Sequence, residues 1–130
     1  MNSSTSTNCN RLRSTREKGF DGEDRACTFL EHKGYTILGR NFRTRTGEID
    51  IIALDGAYIV FVEVKSLPHG GIDTLAHELN TRKQQKIIET AKYYLQKFRQ
   101  YNYKYVRFDV LVLDVPGLEP VRHLLNAFSE

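Results

Sequence analysis

Residues 48–54 and 58–65 are two runs rich in Ile, Val, Phe and Tyr, separated by Asp55-Gly56. β-Branched and aromatic residues on either side of an Asp-Gly pair predict a β-hairpin. A third such run, VRFDVLVLDV at 106–115, ends at Pro116-Gly117, and YTILGRNF at 35–42 predicts a shorter strand. Two other segments carry apolar residues at helical spacing. Ala26, Phe29 and Leu30 form one stripe, with a capping-box pattern at Ser14 and Glu17 upstream and Gly34 as a stop. Gly19 and Gly22 weaken the first half, so the helix proper is expected to begin near Asp21. Residues 81–101 form a longer helix burying Ile87, Ile88, Ala91, Tyr94, Leu95 and Phe98, with Thr81 and Gln84 as a second capping-box match. Residues 66–80 contain Pro68, Gly70 and Gly71 and read as a mobile loop, while VRHLLNAF at 121–128 fits an edge strand or a short turn. The order αβββαβ predicts one α/β domain over residues 15–130, with a mixed central sheet flanked by helices. Residues 1–14 read as a disordered polar tail.

Composition narrows the setting. The 130 residues are 40% hydrophobic and 27% charged, as in soluble globular proteins. No apolar run approaches the ~20 residues that span a bilayer, and the opening MNSSTSTNCN lacks the apolar core of a signal peptide. Cys9 and Cys27 make neither a disulfide framework nor a zinc motif, with Cys27 expected to be half-buried; a reducing, cytoplasmic location is expected. The net charge of +3 does not by itself indicate nucleic-acid binding. Its distribution is more informative: Arg11, Arg13, Arg16 and Lys18 form one basic stretch, Arg40, Arg43 and Arg45 a second, and Arg82, Lys83 and Lys86 a third. His32, His69, His77 and His123 lack zinc-site spacing and read as structural or surface residues.

The hairpin carries charges that its apolar character does not need: Glu48, Asp50, Glu63 and Lys65. With Asp55-Gly56 as a two-residue turn, Leu54 pairs with Ala57, Asp50 with Phe61 and Glu48 with Glu63. Period-two alternation then puts all four charges on one face, at the end far from the turn. Two carboxylates 4 Å apart repel by about 4 kcal/mol at an effective dielectric near 20. A proton, the Lys65 ammonium or a divalent cation would offset that. Oxygen-only ligands suit Mg²⁺ or Mn²⁺. The plain alternative is a Glu63–Lys65 ion pair at the wet end of the sheet.

The segments GFDGEDRACTFLEHKGYTILGRNFR (19–43), GEIDIIALDG (47–56), FVEVK (61–65), RFDV (107–110) and NAF (126–128) resemble the YraN family, also called UPF0102. More broadly, the arrangement resembles the PD-(D/E)xK nucleases, whose core is αβββαβ, as in restriction endonucleases and archaeal Holliday junction resolvases. The resemblance implies a metal-dependent endonuclease with Glu23 as the helix acid, Asp50 and Glu63 as metal ligands and Lys65 as the catalytic lysine. It also implies an arginine two residues after the lysine, where this chain has Leu67. Nucleic acid, with DNA foremost, is the implied partner. A resolvase-like role would imply a homodimer, because two strands are cut.

Other residues have competing readings. Glu23 also fits a solvated first helical turn. Lys83 and Gln84, one turn before Ile87 and Ile88, could reach a scissile phosphate or simply cap the helix. Arg40, Arg43 and Arg45 could hold a nucleic-acid backbone or form an ordinary charged loop. Arg107 and Asp109 read as an internal ion pair. The rival to catalysis is a nucleic-acid-binding module that keeps the nuclease fold; a third reading is a scaffold whose ion pairs stabilise a partner interface.

Overall fold

The computed structural model describes residues 21–130. The expected Ser14–Glu17 cap, the polar tail, Cys9 and the first basic stretch lie outside the described residues. The elements in chain order are α1 (Asp21–His32), β1 (Thr36–Arg43), β2 (Glu48–Asp55), β3 (Tyr58–Ser66), α2 (Ile72–Glu78), α3 (Thr81–Lys97), a 3₁₀ turn (Arg99–Tyr101), β4 (Tyr105–Leu113) and β5 (Val121–Phe128). The strands lie in the order β1-β2-β3-β4-β5. Only β3 and β4 are parallel, joined by the α2–α3 crossover; the other neighbours are antiparallel. This is the expected α/β domain with an open mixed sheet. It adds a short helix within the expected loop, and residues 121–128 take the edge-strand alternative.

Each face of the sheet carries its own core. Ala26, Cys27 and Leu30 of α1 pack on Ile37, Ile51, Ala53, Val60, Val62 and Leu111. Ile87, Ile88, Ala91 and Tyr94 of α3 pack on Ile49, Ile52, Ile59, Phe61, Phe108, Val110 and Val112, with Leu75 and Leu79 closing one end. The alternation of β3 and β4 between these sets follows from the period of two. Cys27 is fully buried rather than half-buried and packs in this core as a small apolar residue.

The helix ends follow local chemistry. Gly34 takes φ +94° after α1, and the Tyr35 amide donates to the Leu30 carbonyl at 3.0 Å, the long bond of a Schellman motif. The cap of α3 is Asn80, not Thr81: its Oδ1 accepts from the Lys83 amide at 3.0 Å. Gln84 also reaches backward, its Nε2 donating to the Leu79 carbonyl at 3.0 Å.

The hairpin turn lies one residue later than expected. Asp55 pairs with Tyr58 and Ile51 with Val62, leaving Gly56-Ala57 as the turn. Glycine with φ +59° at the first central position suits such a two-residue turn. Asp55 is instead held by Arg107, whose Nη1 donates to Asp55 Oδ2 at 3.0 Å. The register therefore moves by two residues, so each residue keeps its face and Asp50 lies across from Glu63, one step beyond the last ladder pair.

Arg107 and Asp109 are the expected internal pair, within a larger network. Asp109 is fully buried. It accepts from Arg107 Nε and Nη2 at 3.0 Å each, pairs with His123 Nε2 at 2.7 Å and accepts from the Asn126 amide at 2.8 Å. That amide lies where the β4–β5 ladder slips between Phe108 and Val110, and Asn126 itself has φ +48°. The carboxylate thus satisfies a donor that the slipped ladder leaves over.

Candidate functional site

Strict alternation fails at Asp50. Ile49 belongs to the core under α3 and Ile51 to the core under α1, although they are two residues apart. The strand therefore rotates at Asp50. β1 bends beside it: Asn41, with φ +53°, lies between the pairs Arg40–Ile51 and Phe42–Ile49. Where the β2–β3 ladder stops, Asp50 Oδ2 accepts from the Val64 amide at 2.8 Å. The side chain replaces a lost ladder partner and is fixed by it.

This rotation brings together groups from four elements. Asp50 of β2 and Glu63 of β3 are both buried. Glu63 is held up at about 7, first by burial and next by the Asp50 charge. Asp50 is also raised, by burial first, with Glu48 adding to it and the Val64 amide, Lys65 and Lys83 opposing. Lys65 Nζ lies 3.6 Å from Glu63 Oε2 and 3.6 Å from Glu78 Oε1 at the end of α2. Lys83, in the first turn of α3, lowers both carboxyls electrostatically. Two carboxylates and two ammonium groups thus share one partly desolvated spot.

Glu23 approaches from α1. Burial, then the Asp50 charge, lifts it to about 7, while Arg40 and Asn41 pull it down. Its Oε1 is 3.5 Å from Arg40 Nη2, and Asp24 Oδ1 is 2.8 Å from Arg40 Nη1. The Arg40 side chain is only 2% exposed. It is an internal counter-ion for the α1 acids, in place of the surface phosphate contact expected of it. Its partners come from another element, so spacing along β1 gave no sign of them.

The other expected residues separate. Glu48 accepts from Arg43 Nε at 2.8 Å, although its charge still acts on Asp50. Arg43 and Arg45 are exposed beside the β1–β2 connection. Gln84 is engaged with the Leu79 carbonyl, which makes it a cap rather than a phosphate contact. Glu78 was not anticipated. Its signal was the pair Leu75 and Leu79, both buried, inside a segment whose Pro and Gly residues read as loop.

Among the described residues no group of three or more His, Cys, Asp or Glu side chains is gathered closely enough to hold a metal ion. The Asp50–Glu63 pair would leave most coordination positions to water or substrate. No helix among the described residues is long and apolar enough to cross a membrane.

A small open α/β sheet with paired carboxylates and lysines where two strands part defines the class of protein. The model of the uncharacterised protein family UPF0102 matches residues 22–113, and the chain belongs to that family. It is 46% identical to a UPF0102 protein of Treponema denticola, with 86% of this chain and 95% of that protein covered. A UPF0102 protein of Persephonella marina is 45% identical, with 86% and 93% covered. One from Treponema pallidum is 50% identical, with 86% and 92% covered.

Proposed function

We propose that this chain is a nuclease that hydrolyses phosphodiester bonds in nucleic acid, with structured DNA as substrate and Mg²⁺ or Mn²⁺ as cofactor. The observation that carries this reading is the buried Asp50–Glu63 pair, pushed toward the protonated form and faced by Lys65 and Lys83. Burying two carboxylates together is costly, and Lys65, 3.6 Å from Glu63, is shared with Glu78 at the same distance. The donor set fits a hard divalent cation: it is all oxygen, anionic and open to further ligands.

Asp50 and Glu63 would hold the ion. The chemistry it supplies is a water of lowered pKa and a polarised phosphoryl oxygen. Val64 fixes Asp50 through its amide, which presets the ligand geometry. Lys65 positions the attacking water or balances charge that develops on the phosphate. Lys83 adds a second positive charge beside the carboxylates. Glu23, held by Arg40, acts through Asp50 by charge rather than by contact. A junction substrate would require a symmetric pair of chains, and a cytoplasmic setting goes with this reading.

The test is cleavage of end-labelled single-stranded, duplex, flap and four-way-junction DNA with Mg²⁺ or Mn²⁺. Wild type should cut at least one of these, and Asp50→Asn and Lys65→Ala should not. A wild-type chain that cuts nothing, or variants that cut equally well, would refute catalysis here. The second reading, a binding module that keeps the fold, draws on Glu23 being turned to Arg40 and on the lack of a third close ligand among the described residues. It expects salt-dependent DNA binding that both substitutions leave intact.

A further inference from the structure

A cleft of about 660 Å³ opens between the β1–β2 connection and α3, within the size range of small-ligand sites. Phe42 and Tyr93 supply aromatic wall, and Arg43, Arg45, Lys92 and Lys97 supply positive charge against the single carboxylate of Glu89. Arg43 is held by Glu48 and Lys92 by Glu130, so Arg45 and Lys97 carry charge that these pairs do not match. Tyr93 is 50% exposed. Its ring is braced by Phe42 at 6.2 Å, and Phe42 is in turn fixed edge-on against Tyr94 at 5.1 Å.

The cleft wall is pinned to α3. Thr46 Oγ1 lies 2.9 Å from Thr90 Oγ1. Gly47 passes so close that an added Cβ would lie 3.4 Å from Thr90 Oγ1 and 3.5 Å from Lys86 Cβ. Along α3, Lys83, Lys86, Tyr93 and Lys97 share one side of the helix, and the fully buried Thr90 between them is covered by Thr46 and Gly47. Lys83 acts on the Asp50–Glu63 pair at one end, Tyr93 and Lys97 line the cleft at the other, and the β1–β2 connection lies between. Ten residues from Lys83 to Tyr93 span ~15 Å. A stacked strand rises about 3.4 Å per nucleotide, so crossing that distance takes at least about four nucleotides.

We propose that this cleft holds an unpaired nucleobase stacked on Tyr93, with Arg45 and Lys97 meeting its phosphates, while its strand crosses over the β1–β2 connection toward the carboxylate pair. The ligand class is single-stranded nucleic acid, or a strand with an unpaired segment a few nucleotides from the phosphate under attack. A base inside a duplex cannot present its face to Tyr93, whereas an unpaired base of any identity can. The inference rests on the nuclease reading for where the strand leads, but not for its binding.

Fluorescence anisotropy of labelled oligo(dT), oligo(rU) and a blunt DNA duplex, in chelator and low salt, tests it without any cleavage. Wild type should prefer a single strand to the duplex. Tyr93→Ala should weaken single-strand binding by about tenfold, the loss of one base–aromatic stack, and leave duplex binding within about twofold. Tyr93→Phe, which keeps the ring face, should retain wild-type affinity and so separates stacking from folding damage. The two oligonucleotides distinguish DNA from RNA as the source of the base. Equal single-strand binding by wild type and Tyr93→Ala would overturn the proposal, as would equal losses on single strand and duplex, or no single-strand binding at all. Tyr93-dependent binding with no cleavage on any substrate would keep this inference and remove the nuclease reading. Cleavage indifferent to Tyr93, with binding also indifferent, would do the reverse.

Discussion

Replacing Glu63 by Gln should stabilise the metal-free protein at neutral and alkaline pH while removing a proposed ligand. Glu63 is buried beside Asp50, and its carboxyl is held at about 7 against an ordinary 4.5. A carboxyl whose folded pKa lies above its unfolded value binds its proton more tightly in the native state. Stability is then unaffected below the unfolded value, falls as pH rises from there to about 7, and stays reduced above it. At about 1.4 kcal/mol per pKa unit, the interval comes to about 3 kcal/mol. Gln carries no charge and can donate to Asp50, so the cost disappears. The assay is urea or thermal unfolding in chelator at pH 5 and pH 8. Wild type should lose stability between these values. The Gln variant should differ little at pH 5 and exceed wild type at pH 8 by about 3 kcal/mol, a rise in Tm on the order of 10 °C for a domain of this size. Saturating Mn²⁺ at pH 8 should close the gap by stabilising wild type alone. A Gln variant less stable than wild type at pH 8 would refute the reasoning, because it would mean that Lys65 and Lys83 already balance the pair.

Three further outcomes are expected. Lys65→Ala should reduce cleavage about a hundredfold or more, the scale seen when one charge-stabilising donor is lost, with unchanged circular dichroism; single-turnover kinetics would show it. Asp109→Ala should cost about 3–5 kcal/mol in denaturant melts, because it leaves Arg107 buried without its main partner and strands the Asn126 amide. Asn80→Ala should lower stability by about 1 kcal/mol through loss of the α3 cap, with no change in the salt dependence of DNA binding.

The hairpin, both long helices and the β4 strand were legible because their apolar periods are local and strong. Ile87, Ile88, Ala91 and Tyr94 are buried as their spacing requires. What escaped the sequence depends on contacts made across the fold. The turn slid by one residue because Arg107, far along the chain, holds Asp55. Arg40 looked like a surface cation in a basic run, yet it lies under Glu23 and Asp24 of α1. The meeting of Asp50 with Glu63 survived the shifted turn because a slip of two residues preserves the face. The rotation between Ile49 and Ile51 then departs from the alternation assumed for β2. α2 was hidden because two leucines, Leu75 and Leu79, are too few to reveal a period beside Pro68, Gly70 and Gly71. Lys83 reaches the carboxylates only through the packing of the parallel crossover, which no local pattern encodes.

Manganese binding, followed by loss of the free-ion electron paramagnetic resonance signal, addresses the shared cation spot most directly. The wild-type chain should take up one ion at neutral pH. Asp50→Asn and Glu63→Gln should each abolish that uptake, and Tyr93→Ala should leave it unchanged. Uptake that persists in the Asp50→Asn, Glu63→Gln double variant, or is absent from the wild type, would contradict a metal held by these two carboxylates.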